Sequence, residues 1–259
     1  MKGKNMKRIL NTLLVISAIT VTALAQGGSQ KPAADAKPAA GLPTADQIVE
    51  KYVQAIGGKA AIEKQTSRVS KGTFDLPAFG ASGTAEIYEK APNKNASIIN
   101  IAGFGVVQEG YDGKIAWSQD PQSGLREKAG AELASAKLDA EFLKPLKIKQ
   151  LYPKLVVKGK DKVGDKEVYV VEATPVESSV ETWYFDTQSG LMLRQDAERE
   201  SPQGKQPIQV YLDNYKEVDG IKLPFKIHQV TPAFTIDIKI DEVKHNVPID
   251  DAKFVKPTA

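Results

Sequence analysis

Two stretches near the end of the sequence alternate between apolar and polar residues with a period of two. Every second residue is apolar in 221–227 and again in 234–240. Because successive side chains of a β-strand point to opposite faces, each stretch predicts a strand with one apolar face, as in an antiparallel sheet that is covered on one side. We expect these apolar side chains to line the covered, concave face: Ile221, Leu223, Phe225, Ile227, Phe234, Ile236, Ile238 and Ile240.

Extended runs of this kind occupy most of the chain after residue 66. Turn signals separate them, and Asp112-Gly113 between two extended runs is a strong hairpin signal. The short links predict an antiparallel meander, and a sheet with so many strands curls. The expected fold is α+β: an unclosed (half) antiparallel β-barrel of about 11–12 strands with helices covering its concave side. The predicted strands are 66–76, 82–90, 95–101, 104–111, 114–119, 154–161, 167–174, 180–186, 191–199, 206–217, 220–230 and 233–243.

The chain before these strands has helical spacing. Residues 44–47, Thr-Ala-Asp-Gln, fit a capping box, in which the Thr hydroxyl accepts from the third amide and the Gln side chain reaches back. Apolar residues then recur on one helical face as far as Ile56, where two glycines end the run. We expect a helix from residue 44 and a second, short piece over 59–64.

Residues 129–152 form a second region with helical spacing. Pro145 interrupts it, so we expect one helix to about Lys144 and a shorter one to Tyr152. This region separates the early strands from the late ones. We expect it to cover the concave face as a lid, through Leu138 and Phe142.

Residues 1–25 have the parts of a secretory signal peptide. A basic start precedes an apolar stretch that ends in Ala23-Leu24-Ala25, a pattern that signal peptidase accepts. An uncleaved membrane anchor is the alternative, although the stretch is short and rich in Thr for a membrane span. We expect cleavage near Ala25, a periplasmic location, a disordered linker over 26–41 and a single domain over 42–259.

The composition excludes several classes of protein. The chain has no Cys, so it is not a diacylated lipoprotein and holds neither a disulfide nor a thiolate metal site. Four of its 35 basic residues lie in the predicted signal peptide, which leaves 31 basic against 32 acidic residues after cleavage. No nucleic-acid partner is expected, because binding to nucleic acid needs an excess of Lys and Arg to displace counterions.

Residues suited to catalysis are few. Of the two His, His228 lies on the polar face of its strand and His245 in a turn, and both are interpreted as surface residues. Asp237 and Asp241 alternate along a strand and do not surround a Gly turn, so no calcium loop is predicted. We predict no catalytic residue, no metal site and no cofactor, hence a protein that is not an enzyme. A hydrolase that depends on His228 is the alternative.

Three short stretches resemble a known family. Residues 111–117, Tyr-Asp-Gly-Lys-Ile-Ala-Trp, resemble its Asp-Gly-Lys…Trp hairpin; residues 184–191 resemble a later hairpin; residues 251–257 resemble its terminal Asp-x-x-x-Phe…Pro segment. In this order, with the helices and the signal peptide, they are similar to the LolA/LolB-like periplasmic carriers, the outer-membrane lipoprotein-sorting family. The resemblance covers about residues 44–257.

The resemblance implies an unclosed antiparallel barrel with a helical lid over an apolar cavity. Members of the family carry lipoprotein acyl chains between membranes without a cofactor, which implies inner- and outer-membrane partner proteins. They place an Arg directly before a Pro after an early strand, and this Arg helps to hold the lid shut. Here Ala91 occupies that position before Pro92, and Lys90 points to the other face of its strand. The resemblance therefore implies that the lid latch in this chain is different or missing.

The expected function is a non-enzymatic periplasmic carrier or binder, a monomer, of a lipid acyl chain or acylated lipoprotein. The alternative is an envelope protein-interaction or sensor module that uses the same fold with a filled cavity. Strand aromatics are either ligand contacts or plain core, and two of them are placed on the cavity wall. The predicted cavity residues are Trp183, Phe185, Ile221, Leu223, Phe225, Ile227, Phe234, Ile236, Ile238 and Ile240, with Leu138 and Phe142 in the lid.

Overall fold

The protein is described by a computed structural model that covers residues 41–201 and 204–258. The predicted signal peptide and all but the last residue of the predicted linker lie outside these residues. The described strands form one antiparallel sheet of 13 strands. They are β1 Ser67–Leu76, β2 Ala81–Lys90, β3 Lys94–Ile101, β4 Gly105–Tyr111, β5 Ala116–Asp120, β6 Gly124–Glu127, β7 Lys154–Val163, β8 Lys166–Thr174, β9 Glu181–Asp186, β10 Met192–Ser201, β11 Gly204–Val218, β12 Ile221–Val230 and β13 Thr235–His245.

The described α-helices are short, and none is long and apolar enough to cross a membrane. The first begins at the predicted capping box: the Gln47 N–H donates to Thr44 Oγ1 at 3.2 Å, and the Thr44 N–H donates to Gln47 Oε1 at 2.8 Å. This reciprocal pair satisfies two amide groups that a helix start leaves open. The helices are α1 Ala45–Ala55, α2 Gly58–Glu63, α3 Gly130–Ala140 and α4 Ile148–Leu151.

The strand order arises from two meanders that meet in the middle of the sheet. β1 to β6 run outward to one edge, and β7 to β13 run back from the other edge. β1 and β13 pair from Arg68 opposite His245 to Asp75 opposite Asp237. Residues 128–153, here named the crossing segment, therefore connect one edge of the sheet to the other and carry α3 and α4.

This architecture confirms the predicted fold class, an α+β chain with an unclosed antiparallel sheet. The sheet has 13 strands, slightly more than predicted, because the sequence interpretation missed β6. That strand has only 4 residues, Gly124–Glu127, and their burial does not alternate. A strand this short and this exposed leaves no period-two signal.

One half of the concave face is filled by side chains of the sheet itself. Phe225, Phe234 and Ile236 pack there against Phe74 of β1 in a buried cluster. Phe79, from the turn between β1 and β2, lies edge-on to Phe234 with ring centroids 6.0 Å apart. The turns of the sheet close this end, so no helix is needed to cover it.

Helices cover the other half of the concave face. Ile48 and Val49 of α1 belong to one buried cluster with Trp183 of β9. Ala136 of α3 belongs to another with Tyr111 of β4. The helices therefore pack on both arms of the sheet.

The sheet opens between β12 and β13 on the helical side. The two strands pair only from Lys226 onward, and the preceding Pro224 has no N–H to offer to a ladder. Further along β13 the pairing with β1 shifts register, with Lys71 opposite Glu242 and Gly72 opposite Ile240. The extra residue, Asp241, is a bulge, and it reverses which face the following side chains point to.

α3 ends at Ala140, about four residues earlier than predicted. Glu141 is extended, with φ −63° and ψ 103°. The Phe142 N–H donates to the carbonyl oxygen of Pro92 at 3.1 Å, so it does not bond within α3. A tertiary hydrogen bond thus ends the helix where the local sequence would let it continue.

The C-terminal residues cover the outer face of β1 to β5. Phe254 is fully buried and packs with Tyr88 and Ile249. Its carbonyl oxygen accepts from Trp117 Nε1 at 2.8 Å. Gly110 lies opposite Trp117, and a Cβ there would stand within 2.9 Å of the indole ring. Trp117 is therefore part of the outer packing and does not reach the concave face.

Candidate functional site

Two cavities lie between the concave face and the helices. The first, of about 300 Å³, is named the tyrosine cavity because Tyr52, Tyr152 and Tyr215 stand in its wall. The second, of about 320 Å³, is named the isoleucine cavity. Its wall contains Ile87, Ile208, Ile227, Ile238 and Ile240.

The two cavities adjoin at the centre of the concave face. Leu212 and Leu223 belong to both walls, together with the polar side chains of Arg68, Asp139 and Gln195. Each volume lies at the lower end of the range of small-molecule sites. An elongated molecule could therefore occupy both cavities and pass a polar belt where they meet.

Seven of the twelve predicted cavity and lid residues line these two spaces. The tyrosine cavity has side chains from β9, β12 and the crossing segment in its wall. The isoleucine cavity is bounded by β12 and β13. The wall of the tyrosine cavity contains Phe142, Trp183, Ile221 and Leu223. The wall of the isoleucine cavity contains Ile227, Ile238 and Ile240, and it shares Leu223.

The other five predicted residues lie elsewhere. Phe225, Phe234 and Ile236 belong to the filled half of the concave face. Phe185 packs against Tyr52 at 5.3 Å between ring centroids and borders a small space of about 160 Å³ beneath α1. Leu138 is buried in the cluster formed by α1 and β9. The strand alternation predicts the face of each residue, but the packing of turns and helices decides whether it meets a cavity.

An ion pair stands in the wall shared by the two cavities. Arg68 of β1 donates through Nε and Nη2 to the two carboxylate oxygens of Glu89 on β2. The strands place these residues directly opposite each other. Burial lowers the pKa of Arg68, but the adjacent Glu89 carboxylate outweighs it and the net shift is upward. The guanidinium is thus permanently charged, and its fork is occupied by Glu89.

Glu181 is a carboxylate buried in the wall of the tyrosine cavity, with 1% of its surface exposed. Its Oε2 accepts from Trp183 Nε1 at 2.7 Å, Gln195 Nε2 at 2.8 Å and Tyr152 OH at 3.2 Å. Its Oε1 has no hydrogen-bond partner among the described residues. Three donors from two strands and from the end of α4 therefore fix this carboxylate and leave one oxygen unused.

Lys144 of the crossing segment brings a cation to the same cavity. Its Nζ lies 3.5 Å from Asp139 Oδ1 and 5.7 Å from the centre of the Tyr152 ring. Burial lowers the pKa of Lys144, but Tyr152, Asp139 and Glu181 outweigh it and the net shift is upward. The same burial raises the pKa of the Tyr152 phenol. The ammonium is charged and the phenol neutral near pH 7.

His245 corrects the interpretation of both histidines as surface residues. After the bulge in β13 it points inward, its side chain is 2% exposed, and it lines the tyrosine cavity. Its Nδ1 lies 3.2 Å from Asp219 Oδ2. Burial lowers the pKa of His245, and the Asp219 bond offsets this only in part. His228, by contrast, is half-exposed and lies 2.8 Å from Asp237.

The crossing segment is attached to the sheet at several points. Besides the bond from Phe142 to Pro92, Arg126 at the end of β6 forms a two-point ion pair with Glu132 of α3 at 2.6 and 2.7 Å. Ala91, the position where the family resemblance implies a latching Arg, contributes only its backbone, whose N–H donates to Thr66 O. Main-chain bonds and ion pairs, among them the buried pair of Lys128 and Glu109, hold the crossing segment here.

A larger depression of about 800 Å³ lies at the opposite, filled end of the sheet. Lys226, Asp237 and Lys239 border it, so it is a polar surface feature and not a continuation of the apolar cavities. Within residues 41–201 and 204–258, no group of three or more His, Asp or Glu is arranged to hold a metal ion.

The polar groups of the cavity were not predicted from the sequence. Glu181 precedes Trp183 and Phe185 by steps of two, so the alternation places its carboxylate on the same face as the two aromatics. Arg68 is likewise in phase with Phe74 on β1. A charged residue in phase with an apolar row is the signal that could have identified both.

No protein-family model and no curated protein matches this sequence. Solved structures do match. A LolA superfamily protein from Nitrosomonas europaea is 14% identical, with a TM-score of 0.55 over 83% of this chain and 99% of that one. A DUF1329 family protein from Desulfovibrio piger is 14% identical, with a TM-score of 0.55 over 81% and 96%. An outer-membrane lipoprotein-sorting protein domain from Vibrio parahaemolyticus is 10% identical, with a TM-score of 0.51 over 80% and 94%. At these identities the likeness shows the fold.

Proposed function

We propose that this chain, whose fold is that of the LolA superfamily, is a periplasmic binder or carrier of a lipid acyl chain or of an acylated lipoprotein. The observation that carries the proposal is the pair of adjoining cavities between the concave face and the crossing segment. Their apolar walls suit a hydrocarbon chain, and their common wall allows one ligand to span both.

Burial of hydrocarbon supplies enough free energy for such binding. Transfer of one methylene from water is worth about 0.8 kcal/mol, so a 16-carbon chain gains on the order of 10 kcal/mol before ordering costs. No covalent step is needed for this function, and we propose that the protein is not an enzyme. The likeness to a lipoprotein-sorting domain supports a ligand of this class.

A periplasmic location belongs to the same proposal. Residues 1–25 have the composition of a signal peptide, and the fold is that of the LolA superfamily protein from Nitrosomonas europaea. The partners proposed are a lipid or lipoprotein and the membrane proteins that deliver and accept it. We propose that the carrier acts as a monomer.

The two cavities favour this function over the alternative, a protein-interaction or sensor module with a filled interior. The end around Phe234 and Ile236 is filled. The helical end retains two spaces of about 300 and 320 Å³. Space of this size next to an apolar sheet face favours a ligand site.

A Trp at position 223 tests the proposal, because Leu223 stands in both walls. We expect L223W to bind an uncharged probe, the methyl ester of a fluorescent 12-carbon fatty acid, at least about tenfold more weakly than the wild type, a loss of about 1.4 kcal/mol. Fluorescence titration gives both affinities. The matched control is I115W, which adds the same ring at a position 39% exposed in the β4–β5 hairpin.

Circular dichroism first establishes that L223W and I115W are folded. Equal affinity in wild type, L223W and I115W would place the probe outside the cavities. Absence of any binding by the wild type, together with no lipid in solvent extracts of the purified protein, would contradict the proposed function.

A further inference from the structure

The tyrosine cavity contains two buried hydrogen-bond acceptors that no described residue satisfies. They are Oε1 of Glu181 and Oε1 of Gln65. Buried polar atoms are nearly always paired, and an unpaired one costs free energy. Both vacant atoms accept, so a molecule that completes them must donate.

The charges around Glu181 also favour a ligand that donates hydrogen bonds. The Arg68 fork is occupied by Glu89. Lys144 attracts the Glu181 charge from a distance, but its direct carboxylate contact is with Asp139 at 3.5 Å. No described Lys, Arg or His lies within 4.0 Å of the Glu181 carboxylate. The tyrosine cavity therefore has a carboxylate without an ion-pair partner.

The isoleucine cavity has a different character. Its charged wall residues, Arg68, Glu89 and Asp139, are all shared with the tyrosine cavity, and the rest of its wall is neutral. Gln229 Nε2 is its unpartnered buried polar atom among the described residues. That neutral amide does not line the tyrosine cavity. The two spaces are thus suited to the two ends of one amphiphile, with the polar end at Glu181 and the chain against the isoleucines.

We propose that the tyrosine cavity binds the head group of an amphiphile that donates hydrogen bonds and carries no negative charge, an ammonium or a hydroxyl head, with Glu181 Oε1 as its acceptor. The proposal rests on the proposed function and names the class of ligand. An ammonium forms a charge-assisted hydrogen bond with the carboxylate, and a hydroxyl forms a single one. A carboxylate or phosphate head would be buried beside the Glu181 charge, where Arg68 is already paired with Glu89 and Lys144 with Asp139.

Three probes with the same 12-carbon chain test this: dodecylamine, 1-monododecanoylglycerol and dodecanoic acid, titrated calorimetrically into the full chain at pH 8 below their aggregation concentrations. We expect the amine and the glyceride each to bind at least about tenfold more tightly than the acid. The amine and the glyceride together distinguish a cationic head from a neutral donor. Tight binding of the amine alone would identify the head group as an ammonium.

The variant E181Q keeps the size of the side chain and an acceptor for Trp183, and adds a donor at the vacant position. We expect E181Q to bind the amine and the glyceride less than about threefold more tightly than dodecanoic acid. The control is E167Q, which removes a carboxylate on β8 that is exposed, paired with Lys160 and outside both cavities. E167Q should retain the tenfold preference.

Each outcome decides the proposal. Binding of dodecanoic acid by the wild type as tight as that of the other two probes overturns it, while the proposed function stands. An unchanged preference in folded E181Q also overturns it. Failure of all three probes to bind, with no lipid extracted, contradicts the proposed function instead. The wild-type comparison decides alone if E181Q does not fold.

Discussion

Single residues that break the apolar pattern give the cavity its chemistry. Arg68 and Glu181 each occupy a position where the alternation of the strand places an apolar residue, and each is held by specific partners. A buried charge is tolerated only when neighbouring groups compensate it. Arg68 is compensated by a direct ion pair with Glu89. Glu181 accepts from three neutral donors through one oxygen and interacts with the charge of Lys144 without a direct ion pair.

His245 supports a prediction about pH. Burial lowers its pKa below the ordinary value of 6.5, and the charge of Arg68 contributes to the shift. The unfolded chain therefore takes up a proton at a pH where the folded chain resists it, and the free energy of unfolding decreases as the pH falls below 6.5. We expect wild type to lose up to about 1.4 kcal/mol per pH unit more than H245Q between pH 6.5 and the folded pKa.

Urea denaturation at a series of pH values measures this difference. Above pH 7 the two proteins should show parallel profiles, because His245 is then neutral in both the folded and the unfolded state. Identical slopes of wild type and H245Q below pH 6.5 would contradict the burial of this imidazole.

Among the elements, the crossing segment decides access to the cavity. It joins the two edge strands and lies over the tyrosine cavity through Phe142, Leu143 and Lys144. It is attached by the main-chain bond to Pro92, by the ion pair between Arg126 and Glu132, and by further contacts at its two ends, such as the bond from Tyr152 to Glu181. We expect this segment to move when a ligand enters, because covers of binding sites come from the less stable parts of a structure.

Removal of the Arg126 ion pair should loosen this cover. Arg126 and Glu132 are 27% and 24% exposed, so their two-point pair contributes about 1 kcal/mol. We expect R126M to increase amide hydrogen exchange in residues 130–147 by about fivefold and to speed probe uptake similarly. Exchange measured by mass spectrometry localises the effect.

A matched control exists on the outer face, where Arg194 and Asp196 form the same two-point pair at 2.6 Å with 20% and 25% exposure. R194M should leave exchange in residues 130–147 unchanged. Equal acceleration by R126M and R194M would mean that the loss of any such pair loosens the whole fold, and that α3 has no separate motion.

At the scale of the whole molecule, the sheet is filled at one end and hollow at the other. Phe79 and Phe234 close the filled end, which anchors the two meanders where β1 meets β13. The hollow end is bounded by helices that precede and helices that follow the first meander. A ligand in the two cavities would contact strands of both meanders and the crossing segment together.

Ligand binding should therefore stabilise the whole fold and not one arm of it. At a free concentration of one hundred times Kd, an uncharged 12-carbon methyl ester should add about 2.7 kcal/mol to the free energy of unfolding. For a domain of this size we expect Tm to rise by about 5–10 °C in a single transition followed by circular dichroism. No rise at saturation, or a rise confined to one of two transitions, would contradict this arrangement.

The strands and their faces could be predicted because both are local properties. The period-two pattern that assigned Ile238 and Ile240 to the concave face needs only neighbouring residues, and the capping box at Thr44 needs only four. β6 and the end of α3 could not be predicted in this way. β6 is too short to show a period. The end of α3 is set by the hydrogen bond from Phe142 to Pro92, a residue that is distant in the sequence.

The sequence alone determined an antiparallel, unclosed sheet with one apolar face, since alternation and turn residues act over a few positions. Only the tertiary structure decided where that face is packed and where it is hollow. Phe234 and Ile238 have the same phase in the sequence, yet a turn covers the first and a cavity lies beside the second. Burial depends on which distant segment covers a residue, and the period of a strand carries no information about that cover.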